Sequence, residues 1–455
     1  MGFQMNGLEA KLTSTTVKIH VPEDHSFICL ANAFNWTHMT DMILNDLKLT
    51  HKNLWWVGRK LHLRIHLGVF VLQSLVKMTD RALEEAIKNN GVYQVFCGKS
   101  IMEKWHCPDH TSIEKFRNRI SPSTQQALVS YVVKIAHNLG FADPSKMDVD
   151  STVQEANMAY PADANLLTKL AYKCKNVLSH ICTAGHKVKT DVDIKAIKKI
   201  SKEYFFMAKN KSKEIRYKVF EKLYDIVKKE ITPVIEHCVS ITKEQVSDLP
   251  WNIRQAAQQI RNHAQKYLLD VAHFIKTHTL KDGKILSFHL QEVACIIKGK
   301  VGKDKEFGRV YQLGRIGGNF FLVLPSTSVR QNDKSSLIPM VQEHQAIFGR
   351  NTLKSLGTDK GYFTKNNVEV LEKEIQQLGI QAPGNVKSQQ YISQELKDRR
   401  AGIEPLIGHA KKYGLGKSKA KSDRATLASG YRSVFGFNLH QLTRYLSGKV
   451  KTKVA

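Results

Sequence analysis

Between Met147 and Val153 the apolar residues Met147, Val149 and Val153 alternate with Asp148, Asp150 and Thr152. A period of two is that of a strand, and it puts both aspartates on one face. Such alternation ordinarily marks a strand with one face in water, but with further acids elsewhere in the chain this stretch reads as a buried strand that carries acids. Upstream, residues 1 to about 140 read as helical, with Trp36, Trp55 and Trp56 in the first part. Thr79 and Asp80 cap a predicted helix that runs through Ile87 and stops at Asn90-Gly91. Thr111 with Glu114 forms a capping box for Ile113, Phe116 and Ile120. Ser121-Pro122 opens a further helix, through Leu128, Val132 and Ile135 to Gly140. Downstream, the helical period returns in Ile194, Ile197, Ile200 and Tyr204, in Val219, Leu223, Ile226 and Val227, and over residues 251–275. Strands are predicted over 285–288, 307–313 and 319–324, the last two joined by a glycine-rich turn at 314–318. Another covers 353–357, flanked by helices over 335–348 and 364–378. A last helix spans 424–446 and frays at Gly448. Strands joined by helical crossovers give an α/β chain.

Lys and Arg outnumber Asp and Glu by 69 to 41, and the pI is near 9.7. A surplus of that size implies a polyanionic partner, nucleic acid or an anionic membrane surface. The most apolar window, 61–76, is interrupted by His62, Arg64, His66 and Gln73 and is too short to span a bilayer, which disfavours a membrane. No basic n-region with a following apolar h-region opens the chain, so a cytoplasmic protein acting on DNA is expected. Seven cysteines without CxxC spacing read as reduced, mostly buried thiols. Cys97, His106, Cys107 and His110 fit no familiar zinc spacing.

Two further acids join the aspartates of the strand. Asp359 ends the predicted 353–357 strand and precedes Lys360-Gly361-Tyr362, and Glu404 lies in the stretch 400–411. Three carboxylates brought together from separate elements are the ligand set that magnesium prefers. Pro405 lacks the N–H of a helix interior, so the Glu404 helix must begin or kink there. Two turns later Lys411 returns to the face of Glu404.

These residues resemble the DDE transposases of bacterial insertion sequences. The resemblance is carried by Asp150-Ser151-Thr152-Val153 with Glu155-Ala156-Asn157 and Ala159-Tyr160-Pro161, then by Thr358-Asp359-Lys360-Gly361-Tyr362. It ends in the Arg-x3-Glu-x6-Lys pattern of Arg400, Glu404 and Lys411. It extends from about Met78 onward; Lys397 stands where related transposases often have tyrosine. It implies an α/β (α+β mixed) fold with a ribonuclease-H-like catalytic core over 145–163 plus 283–416. Around that core it implies an N-terminal helical DNA-binding domain over 1–140 and a basic C-terminal helix and tail over 417–455. Residues 164–282, with 23 Lys and Arg against 12 Asp and Glu, become a basic helical insertion.

On this resemblance Asp150, Asp359 and Glu404 are the catalytic residues and hold two ions, Mg2+ or Mn2+. Ser151-Thr152 directly after Asp150 favours it over Asp148, its neighbour on the same strand face. Arg400, Lys411, Lys298 and Lys300 contact DNA. The implied activity is cleavage at terminal inverted repeats and joining of the 3′-hydroxyls to target DNA. The implied form is a homodimer on double-stranded DNA, cytoplasmic and associated with the nucleoid. A metal-dependent nuclease without strand transfer needs the same acids, and a non-catalytic DNA-binding descendant needs only the basic surface.

Overall fold

The computed structural model describes residues 21–50, 60–99, 107–185, 191–210, 212–243, 249–300, 303–325, 328, 330–384 and 392–448. Trp55, Trp56 and His106 lie outside them, as do the side chains of Lys298 and Lys300. The chain forms two compact units, one drawn from 1–155, 308–420 and 424–455, the other from 156–307 and 421–423.

The first unit begins with helices α1 (Ser26–Ala33), α2 (Trp36–Thr50), α3 (Lys60–Val76), α4 (Asp80–Asn89), α5 (Gly91–Phe96), α6 (His110–Arg119) and α7 (Pro122–Asn138). Thr79 caps α4 by accepting from Ala82 N–H, and Ser121 with Pro122 opens α7. The capping box at Thr111 is not formed. Asp109 caps α6 instead, its carboxylate accepting from the N–H groups of Thr111 and Ser112. An ionised acceptor at the positive end of a helix outcompetes a hydroxyl inside its first turn.

Against these helices lies a mixed sheet. Strand β1 (Asp143–Glu155) runs antiparallel to β3 (Lys303–Gly317) and parallel to β5 (Ser355–Thr358), which in turn runs parallel to β6 (Gln377–Ile380). β4 (Phe320–Val323) pairs with β3, and so does β2 (Ala294–Lys300), which with the first residues of β3, up to Phe307, belongs to the second unit. Two expectations are corrected here. Gly314 and Gly317 belong to β3, and the turn is confined to Gly318 and Asn319, both at positive φ. Gly314 is required by packing: a Cβ there would stand 2.9 Å from Met147 Sδ. The helix predicted over 364–378 is α13 (Lys365–Leu371) alone, followed by β6. β1 is the buried strand expected: Asp148, Thr152 and Gln154 on its second face are buried along with Met147, Val149 and Val153.

Helices α12 (Asp333–Phe348), α14 (Gln394–Ala401), α15 (Ile403–Ala410) and α16 (Asp423–Leu446) complete this unit, apart from Asp423 at the start of α16. α16 buries Tyr431, Val434, Phe435, Phe437, Leu439 and Leu442 in the core. Gly430 allows Tyr311 to lie against it; a Cβ there would be 2.1 Å from the ring. The Asn438 amide bonds both the N–H and the C=O of Phe321 in β4.

The second unit is built on α8 (Asp163–Thr183), α9 (Ile194–Asn210), α10 (Lys213–Lys243) and α11 (Trp251–Thr277), around a core including Leu167, Ile181, Val227, Ile231 and Tyr267. Tyr267 and Lys284 both donate to the Asp163 carboxylate at the start of α8. Residues 285–288 form no strand. Phe288 is buried in the core, and Ser287 Oγ accepts from the N–H groups of His289 and Leu290, which turns the chain.

In α12, fully buried His344 donates from Nε2 to Pro144 O at 2.8 Å. Burial pulls its pKa from 6.5 down to about 4, partly offset by that bond. The folded state therefore keeps His344 neutral while the unfolded chain takes up a proton below pH 6.5. Its contribution to stability is complete above 6.5 and is lost as the pH falls towards 4. From pH 7 to 5 the expected loss from this residue is about 2 kcal/mol. Urea titrations across that range should show a shallower pH dependence for His344→Gln; an unchanged dependence would reject the assignment.

Candidate active site

Asp148 and Asp150 share a face of β1, and α14 meets that face with two successive arginines. Neighbouring side chains on a helix diverge by about 100°, so Arg399 and Arg400 take different acids. Asp148, 2% exposed, accepts from Arg399 Nε at 3.0 Å and from Arg315 Nε and Nη2 at 3.2 and 2.5 Å. Arg315 also donates to the carbonyl of Arg399. Two glycines make room for this group: a Cβ on Gly357 would lie 2.5 Å from Asp148 Oδ1, and one on Gly402 would lie 2.7 Å from Arg315 Nη1. Both oxygens of Asp148 are thus engaged by guanidinium groups of its own fold.

Arg400 serves the other acids. Its Nη2 stands 3.7 Å from Asp150 Oδ2, 3.7 Å from Asp359 Oδ2 and 3.8 Å from Glu404 Oε1. The three carboxylates come from β1, from the end of β5 and from the first turn of α15, and they converge on one nitrogen atom. Side-chain exposure rises from Asp150 through Asp359 to Glu404, at 17%, 34% and 67%, so the cluster opens to solvent on the glutamate side. Burial raises the Asp150 pKa to about 6; the Ser151 N–H and Arg400 pull it down, and the negative charges of Asp359 and Glu404 push it up. A carboxylate in that condition is short of positive charge.

Two of the three acids are held by backbone N–H groups. Asp150 accepts from Ser151 N–H at 2.7 Å, and Asp359 accepts from Gly361 N–H at 2.8 Å, capping the short 3-10 turn Lys360–Tyr362. That turn is anchored by Tyr362, fully buried, whose hydroxyl donates to Gln312 Oε1 while Gln312 Nε2 donates to Asp333 at 2.7 Å. Gln312 sits opposite Ser151 in the β1–β3 register. Glu404 follows Gly402, where the chain breaks between α14 and α15, so the break precedes Pro405. Beyond α15 the chain is pinned to the end of β1: Gln154 Nε2 donates to Gly414 O, Glu155 N–H to Gly416 O, and Ser418 N–H to Glu155 O. Lys411 is the half-buried C-cap of α15. Lys298 and Lys300 belong to β2, with side chains outside the described residues. Reading the sequence did not single out Arg315, Arg399, Gln312 or Asp333. The adjacency of two arginines in α14 to two alternating acids in β1 was the available signal.

Among the described residues no three His, Cys, Asp or Glu side chains are gathered closely enough to hold a metal ion as they stand, and a guanidinium nitrogen occupies the point where Asp150, Asp359 and Glu404 meet. The donor set nonetheless suits a hard divalent ion, being all carboxylate oxygen with one member made cation-hungry by burial. The buried Nε of Arg400 has no hydrogen-bond partner, so the side chain is held here through its ion pairs alone.

No described helix is long and apolar enough to cross a membrane. No solved structure matches the chain. The uncharacterized protein ORF8 in the nfe locus of Rhizobium meliloti is 29% identical over 109 residues, a stretch that covers 23% of this chain and 53%, about half, of that relative. Residues 16–119, which span α1 to α6, match the family described as a transposase domain (DUF772).

Proposed function

We propose that the chain is a DNA transposase of the DDE type, which cleaves DNA ends and transfers the 3′-hydroxyls by metal-dependent phosphoryl transfer. The observation that carries this reading is the convergence of Asp150, Asp359 and Glu404, from three separate elements, on a single point beside a strand. The family match supports it independently, because residues 16–119 contain none of the three acids. A mixed sheet of antiparallel and parallel strands flanked by helices is of the kind the ribonuclease-H-like resemblance implies.

In this reading Asp150, Asp359 and Glu404 hold Mg2+ or Mn2+. A pair of such ions would supply Lewis acidity, lowering the pKa of the attacking hydroxyl and neutralising charge on the leaving oxygen. Asp150, the least exposed acid, fixes the inner wall, and Ser151 N–H and the Tyr362-Gln312-Asp333 chain keep it and Asp359 in register. Arg400 offsets the mutual repulsion of the acids and can turn its guanidinium to a DNA phosphate once other cations take that role. Lys411, Lys298 and Lys300 add phosphate contacts, and the basic surplus supplies affinity independent of sequence. Asp148, saturated by two arginines, is assigned to the fold and not to the chemistry.

Asp359→Asn should abolish cleavage of a labelled inverted-repeat end in Mg2+ while binding stays within about twofold, since every cation that faces a phosphate remains. Wild-type nicking by this variant would refute the three-acid mechanism. Arg400→Ala and Lys411→Ala should instead weaken binding and lower its salt slope by about one unit for each phosphate left without its cation, measured by anisotropy over a salt series.

The neighbouring aspartates should separate in stability. Asp148→Asn strips charge from a buried group facing two arginines and should cost about 3–5 kcal/mol. Asp150→Asn relieves a buried carboxylate and should leave the fold as stable or up to about 2 kcal/mol more stable, with cleavage lost. Equal urea midpoints for the two variants would show that their roles are misassigned.

A further inference from the structure

Helix α9 of the second unit carries a one-sided surface. Lys195, Lys198, Lys199 and Lys202 are all exposed and, with Phe206, fall within an arc of about 100° on the helix. Ile194, Ile197 and Ser201 on the other side are buried in the core of the unit. Phe206, at the end of the lysine row, is 76% exposed, more than any other large apolar residue described. Glu203, the only acid in α9, is exposed and borders the row one turn after Lys199, leaving four lysines against one acid on this side. Asp193, before the helix, is engaged in capping it through Ala196 N–H. Lys198 lies 5.1 Å over the Tyr172 ring, which leaves its ammonium on the surface.

We infer that this face of α9 is a DNA-docking surface, in which the four lysines track a phosphate backbone and Phe206 stacks on or wedges between bases at the end of the row. A merely solvated helix face mixes charges of both signs and gains nothing from a bare phenyl ring. Lysines that neutralise phosphates together with an exposed aromatic or apolar residue that engages bases are the paired elements of backbone binding and base unstacking. A membrane-surface helix would need a broad apolar face free for lipid. Here that face is spent on the protein core, with Phe206 and the less exposed Phe205 remaining. The inference rests on the reading of DNA as this protein's partner.

The test uses the full chain and a fluorescein-labelled duplex of arbitrary sequence, with anisotropy over a NaCl series. Variant K195Q/K198Q/K199Q/K202Q should lower the slope of log K against log salt by roughly 3–4, at about 0.9 per neutralised phosphate. Phe206→Ala should weaken binding about tenfold at every salt concentration and leave the slope unchanged. If circular dichroism shows that the quadruple variant does not fold, Lys199→Gln alone should still lower the slope by about 0.9. Wild-type slope and affinity in the folded variants would overturn the inference while leaving DNA as the partner. Loss of binding to phosphatidylserine vesicles with duplex binding intact would overturn it in favour of a lipid surface. If the wild-type chain does not bind the duplex at all, the functional reading fails as well.

Discussion

The candidate site depends on the buried ion group of Asp148, Arg315 and Arg399. A carboxylate 2% exposed is tolerable only if both oxygens are paired, and the two arginines that pair it come from β3 and α14. The group therefore sets the distance between helix and sheet and fixes the rotation of α14 about its own axis. With Arg399 committed to Asp148, Arg400 has one direction left, towards Asp150, Asp359 and Glu404. Gly357 and Gly402 are the sequence's concession to this crowding, since either Cβ would enter the ion group.

Much of this was legible in the residues, for a physical reason. The period of two in 147–153 marks a strand whatever surrounds it, and the caps at Thr79 and Ser121 are local hydrogen bonds needing no tertiary partner. What the pattern could not disclose is what covers a strand's second face. Alternating Asp, Asp and Thr look the same before water as before a helix carrying arginines, so the pairing of Asp148 with Arg315 and Arg399 was not foreseen. The glycines of 314–318 misled similarly: Gly314 is needed for contact with Met147 and not for a turn. The short β6 was absorbed into a predicted helix because four residues carry too little period to interrupt one.

For the candidate site, the three acids were singled out by residue type and by the resemblance, and Tyr362 stood in the same motif as Asp359, but its buried partners were not singled out. Tyr362, Gln312 and Asp333 come from three elements and acquire meaning only when the β1–β3 register sets Gln312 beside Ser151. Such chains of buried polar groups carry no sequence period, because their order is one of space.

The amide of Asn438 has a consequence for assembly. β4 pairs on one side with β3, and the outward N–H and C=O of Phe321 are both taken by that amide. An unpaired strand margin is an open template on which a second chain can add its own strand. Here the template is answered within the molecule, so no strand of another chain can be added to β4 at Phe321 without first displacing that amide.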